Sequence, residues 1–220
     1  ANRQGGTQLF LDASEQKSSA SFADESFVLA GEYLKEMIDA RAFTHGFNGI
    51  EDGLARAAFL REEAAMHLNG TWLIARVSEE NPKFLQKMKV LPFPVLPGGK
   101  GDASTVLGGI NCGFAVSSTC KHPEMAVKLL QYLTDKQVVT EWCSIGRLPA
   151  VKTSPEQEEK LPAISREALK NLQNAASLQP YYDQFLSSRL AVEHKKTTQN
   201  IFSGTMSAKE AAEQMAKKAE

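Results

Sequence analysis

Apolar residues recur at helical intervals in several separate stretches of the chain. Phe27, Ala30, Leu34 and Ile38 fall on one face, and their run opens with Asp24 and Glu25, whose carboxylates suit the positive end of a helix dipole. This spacing predicts a helix. A second is expected over roughly residues 53 to 61, with Leu54, Ala57 and Ala58 on one side. In HPEMAVKLLQYL, Pro123 fits a first helical turn, and Ala126, Leu129, Leu130 and Leu133 follow at i, i+3, i+4 and i+7. The next helix starts almost at once: Thr134 and Gln137 have capping-box spacing, Val138 and Trp142 stand one turn apart, and Gly146 is placed to end it. Ser207 and Glu210 repeat the capping box before Ala211, Ala212, Met215 and Ala219, and Gly204 closes the helix ahead of them.

Strand candidates are shorter. They are TQLFL (7 to 11), AAMHL (64 to 68), MKVLPFPVL (88 to 96, interrupted by prolines) and CGFAVS (112 to 117). Helices alternating with short strands up to about residue 117, then helices alone, predict an α/β layer followed by a helical part. Proline and charge concentrate in LPAVKTSPEQEEKLP, residues 148 to 162, so the expected division is an α/β portion over 1 to 150 and a helical segment over 151 to 220.

Charge narrows the partners. The 25 Lys and Arg nearly cancel the 26 Asp and Glu, and no long run of one sign appears, which argues against a nucleic-acid groove or an anionic membrane surface. No stretch approaches the ~20 apolar residues needed to cross a bilayer. The opening ANRQGGTQLFLD lacks the basic start and apolar core of a signal peptide and reads like the middle of a domain, so the sequence is expected to be a fragment of a longer protein. Cys112, Cys120 and Cys143 contain no CxxC pair, which excludes a full disulfide framework and a four-thiolate zinc site; one bridge or buried free thiols remain open.

Catalytic signatures are missing. His45, His67, His122 and His194 show neither HxxxH nor HExxH spacing and read as surface or capping histidines, and no GxSxG elbow surrounds a serine. PGGKGD (97 to 102) lacks the Gly-Lys-Ser/Thr ending of a P-loop and reads as a surface turn. In LGGINCGFAVS (107 to 117) paired glycines run into a strand pattern, which permits close approach of a ligand or backbone, or marks a plain β-bulge. EEAAMHLNGTWLI (62 to 74) stops at Asn69-Gly70 and places Trp72 behind the break, either to fill a core or to present a flat face. Asn69-Gly70-Thr71 also matches the N-glycosylation pattern, which three residues often meet by chance.

The order of these pieces carries more than any one of them. A helix, AAMHLNGTW, LPFPVLPGGKG, LGGINCGFAVSSTCKHPEMAVKLLQYLTD, GRLPAVK and FSGTMSAKEAAEQM in series resembles the family 1 extracellular solute-binding proteins of bacterial ABC importers, the maltose-binding type among them. The resemblance runs from Gly5-Gly6 to the end. It departs at Arg61-Glu62-Glu63, where the family pattern has glycine and lysine, and in length, since members are roughly twice as long and begin with a signal peptide.

The resemblance implies a periplasmic-binding-protein-like type II α/β fold, of which this sequence is the C-terminal lobe with trailing helices and lacks most of the N-terminal lobe. It implies a carbohydrate ligand held in an interlobe cleft, a transmembrane ABC permease as partner, an extracytoplasmic location with a lipid anchor available to the full-length protein, a monomer, and no cofactor or catalysis. Sugar rings have apolar C–H faces and hydroxyl edges. Trp72 would supply a stacking face, Asn69 and Asn111 amide groups, and Gly70, Gly108 and Gly109 accessible backbone. Arg147 in the GRLPA turn reaches the cleft or caps a helix, and Tyr181 and Tyr182 line the cleft or pack the hinge; the residues leave both readings open. A non-sugar solute (polyamine, phosphate ester, polyol) or a sensory module on the same fold is the alternative.

Overall fold

The computed structural model describes residues 1 to 17, 20 to 109 and 113 to 220. Its helices start and stop largely where local chemistry dictates. Asp24 accepts a hydrogen bond from the Ser26 N–H and opens α2 (Glu25–Asp39), after a first helix, α1 (Asn2–Ser14). Next come α3 (Asp52–Leu60), α4 (Trp72–Glu80) and α5 (Pro123–Leu133), the last with Pro123 in its first turn. α6 (Lys136–Ser144), α7 (Pro155–Lys160), α8 (Ala163–Gln173), the single turn α9 (Tyr182–Phe185), α10 (Ser188–Ser203) and α11 (Ala208–Ala219) complete the described helices. Gly204, at φ +73°, ends α10, and both halves of the Ser207–Glu210 capping box are formed on α11.

One predicted cap moves by a residue. Asp135 caps α6 by accepting from the Gln137 N–H, while the Thr134 hydroxyl turns back to the Leu130 carbonyl at 3.0 Å and finishes α5. The carboxylate is the stronger acceptor and stands at the extended position a cap requires.

The strand candidates do not form strands. TQLFL lies inside α1, where Phe10 and Ala13 are buried one turn apart. Residues 64 to 68, 88 to 96 and 113 to 117 carry no ladder among the described residues; Pro92 and Pro94 remove two donors from the second of these, and Cys112 lies outside the described residues. The described sheet is instead a two-stranded parallel pair, β1 (Val106–Leu107) with β2 (Leu178–Gln179), in the register Val106 to Leu178 and Leu107 to Gln179.

Two compact units divide the chain, and each is discontinuous in sequence. The first takes Ala1–Ala55, Phe93–Gly109 and Ala175–Glu220. The second takes Arg56–Pro92 and, of the described residues, 113 to 174, so the proline- and charge-rich stretch 148 to 162 lies within it and forms α7.

The first unit buries Phe10, Phe22, Leu186, Leu190 and Met215 in one cluster. α2 and α11 touch at Gly31, where a Cβ would stand 2.7 Å from that of Ala208. Arg3 is buried, and its guanidinium donates to the carbonyls of Phe93 (3.3 and 3.2 Å), Asp102 and Thr105 (3.1 Å), tying residues 93 to 105 to the start of α1. Backbone bonds from Lys100 N–H to Gln4 (3.0 Å) and from Gly101 N–H to Arg3 (3.2 Å) reinforce this seam and deliver the chain to β1.

The second unit is built around α4, whose Leu73, Ile74, Ala75 and Val77 are all buried. Leu73 and Val77 pack with Phe84, Ile74 with Ile164 and Ala168, and a neighbouring cluster joins Val139, Cys143 and Leu161. Burial raises the pKa of the Cys143 thiol.

Candidate functional site

Trp72 is the first residue of α4, directly after an Asn-Gly-Thr break. Half of its surface remains exposed (48%), although Leu73 beside it is a core residue. Gly70 explains how. The indole folds back over this residue, so a Cβ there would lie 2.6 Å from Trp72 Cε3 and nearer still to Cζ3 and Cη2. A glycine is required because the indole occupies the space a side chain would fill.

Asn69 holds the adjoining edge. Its side-chain oxygen accepts from the Gly70 N–H at 2.8 Å, and its amide nitrogen lies 2.7 Å from His67 Nε2. The His67 ring stacks on Phe59 (centroids 5.7 Å apart, 28° between planes), and Phe59 meets the buried Phe84 edge to face at 5.2 Å. A half-exposed indole with a fixed amide beside it is therefore braced on the core of the second unit. It offers a flat apolar face and a polar edge together.

The GRLPA turn joins the same unit. Gly146, at φ +86°, packs so tightly that a Cβ would stand 3.0 Å from Ile74 Cγ2, and its carbonyl accepts from Ser165 Oγ at 3.0 Å. The Arg147 N–H donates to the Trp142 carbonyl at 3.0 Å, so its backbone closes α6 while its side chain is exposed.

The remaining predicted residues lie in the first unit. Gly108 N–H donates to the Gln179 carbonyl at 3.0 Å and extends the parallel ladder by one bond, and Gly109 follows at φ +152° with open space where a Cβ would stand. Tyr181 is half-buried, and its pKa is raised by burial first and by Asp183 second. Tyr182 is half-buried against the core: its ring stacks flat on Phe10 (3.8 Å, 8°), its hydroxyl is buried without a hydrogen-bond partner among the described residues, and burial pushes its pKa up. Asn111 lies outside the described residues.

Sequence reasoning named Asn69, Gly70 and Trp72, which lie together in the structure, and read His67 as a surface or capping residue. Its signal was the two-residue spacing to Asn69, which carries meaning only once the intervening chain turns. Among the described residues no group of three or more His, Cys, Asp or Glu is arranged to hold a metal ion.

The profile of the bacterial extracellular solute-binding proteins matches residues 4 to 169, most of the chain. The chain belongs to this family. A chain solved in a biochemical and structural study of xylan utilization by the thermophilic bacterium Caldanaerobius polysaccharolyticus superposes with a TM-score of 0.90 at 31% sequence identity, over 99% of this chain and 55% of that one. A chitin oligosaccharide binding protein superposes with a TM-score of 0.85 over 98% of this chain and 53% of its own; at 20% identity it shows the fold alone. The multiple sugar-binding protein of Streptococcus mutans serotype c (strain ATCC 700610 / UA159) is 24% identical over 108 residues, 49% of this chain and 24% of that protein. The fold is thus that of solute-binding proteins, and the chain spans about half the length of these solved relatives and about a quarter of the curated one.

Proposed function

We propose that this family member serves as the substrate-binding component of an ABC importer and that Trp72, Gly70 and Asn69 bind a mono- or oligosaccharide. The observation that carries the reading is the half-exposed indole seated on Gly70 beside a fixed carboxamide. A pyranose ring would lay its C–H face on the indole, releasing water from both surfaces, while its hydroxyls exchange hydrogen bonds with the Asn69 edge. A curated relative named for multiple sugars, and a solved neighbour from work on xylan utilization, support the ligand class. Gly108, Gly109, Asn111, Arg147 and Tyr181 are proposed as further ligand contacts on residue type alone.

The mechanism is capture without chemical change. Sugar binding favours the ligand-bound arrangement only by its differential affinity, and a membrane permease outside the cytoplasm recognises that arrangement. Trp72 and Trp142 are the two tryptophans of this sequence, so the ligand-dependent emission lost on Trp72→Phe is the part that Trp72 contributes. Titration of the full-length protein with xylo- and chito-oligosaccharides and maltodextrins is expected to change that emission. Trp72→Ala should weaken binding at least about ten-fold, because it removes both the apolar area that the ring buries and the about 1 kcal/mol that aromatic stacking contributes beyond that area. Equal affinity of Trp72→Ala for the sugar bound by the parent would sink the stacking role.

A further inference from the structure

We propose that His67 is a positioning residue of the sugar edge: as a neutral imidazole it accepts from Asn69 through Nε2 and, together with the Gly70 N–H that donates to the side-chain oxygen, holds the Asn69 carboxamide in one direction. The inference rests on the carbohydrate reading for its consequence, but its geometry stands without a ligand. A backbone N–H only donates, so the Asn69 atom 2.8 Å from Gly70 N is the side-chain oxygen. The amide nitrogen therefore faces His67 Nε2 at 2.7 Å, and because an amide nitrogen only donates, Nε2 must carry no proton. The proton of the neutral ring then sits on Nδ1.

The imidazole is in turn held by its stack on Phe59, and Phe59 by its edge contact with the core ring Phe84. A continuous line of packed rings thus runs from the core to the carboxamide. The Asn69 oxygen faces the Gly70 N–H and its amide faces His67, and Asn69 is next in sequence to the glycine that the indole covers. A carboxamide without that acceptor loses one of the bonds that hold it and keeps the Gly70 N–H, so its χ2, a broad torsion, is less tightly set and its donor edge is less well aimed at a hydroxyl.

Two substitutions separate the acceptor from the stack. His67→Phe keeps an aromatic ring for Phe59 and removes the acceptor, whereas His67→Gln supplies an acceptor oxygen at similar reach. Nitrogen chemical shifts of the imidazole in the ligand-free, isotope-labelled protein near neutral pH are expected to show an unprotonated Nε2. The Asn69 side-chain NH2 signals should hold their shifts in His67→Gln and move toward free-asparagine positions in His67→Phe. Sugar affinity should fall about five- to ten-fold in His67→Phe, the worth of one hydrogen bond, and recover in His67→Gln. A protonated Nε2, or Asn69 signals unmoved in His67→Phe, overturns the proposal. Unchanged sugar affinity in His67→Phe overturns its role at the ligand edge. If the parent protein binds no sugar at all, the carbohydrate reading falls, while the ring-nitrogen and Asn69 signals still decide for or against His67 as the group that holds the amide.

Discussion

Gly70 and Trp72 set each other's conformation, since the indole lies where a Gly70 side chain would be. Gly70→Ala is expected to swing the indole off the backbone. Trp72 emission should shift in the free protein, and sugar affinity should fall about as far as in Trp72→Ala, at least about ten-fold by the same stacking argument; an unchanged spectrum would count against the packing described. His194 tests a different residue-scale effect. Burial holds its pKa below the ordinary 6.5, against the pull of Asp183 and with help from Lys195 and the chain's amino terminus. The unfolded chain therefore takes up a proton that the folded chain refuses, so this contribution is complete above 6.5 and is lost progressively as pH falls below it. The urea midpoint should drop on acidification from neutral pH, and His194→Gln should reduce that slope.

At the scale of elements, the tightest constraint is the crossing of α2 and α11. Alanine is a better helix former than glycine by about 1 kcal/mol. Gly31→Ala would nevertheless place its methyl 2.7 Å from Ala208 Cβ and 3.3 Å from Ile201 Cδ1. Overpacking of this kind costs about 1 to 3 kcal/mol, so the net effect should be destabilising, measured as a lower denaturation midpoint, with Ala208→Gly partly restoring it. The helices here were legible because periodicity and caps are written in neighbouring residues: α2, α5 and α11 start and end within a residue or two of their predicted positions. TQLFL misled because its four apolar or β-prone residues, Thr7, Leu9, Phe10 and Leu11, suit a buried helix as well as a strand. Phe10 and Ala13, one turn apart, settle the period.

Across the whole molecule, contacts distant in sequence hold each unit together. Arg3 is the clearest case, because one buried guanidinium serves carbonyls at Phe93, Asp102 and Thr105. Arg3→Met would leave these acceptors without their charged donor, and a loss of about 3 kcal/mol in unfolding free energy is expected, with faster amide exchange over residues 100 to 108. A change below about 0.5 kcal/mol would show that water replaces the guanidinium at little cost. α5 presents the opposite situation. It has no buried residue, and Met125, Val127, Leu129 and Tyr132 are exposed, so its apolar pattern foretold a helix but not a core.

The positions of α2, α5 and α11, the near-neutral charge, the lack of a catalytic motif and the closely spaced Asn69, Gly70 and Trp72 could all be read along the chain, and so could the family, from the order of short segments. These features depend on neighbours in sequence, which a linear pattern records. The pairing of Val106 with Leu178, the burial of Tyr182 against Phe10 and the bond from Asn69 to His67 could not. Strand pairing and core membership depend on which distant residue arrives opposite, and an amide's direction depends on the partner that fixes its torsion. Trp72 shows both sides: its place two residues after a glycine is a fact of sequence, but its half-exposed indole results from folding back over Gly70 while Leu73 enters the core.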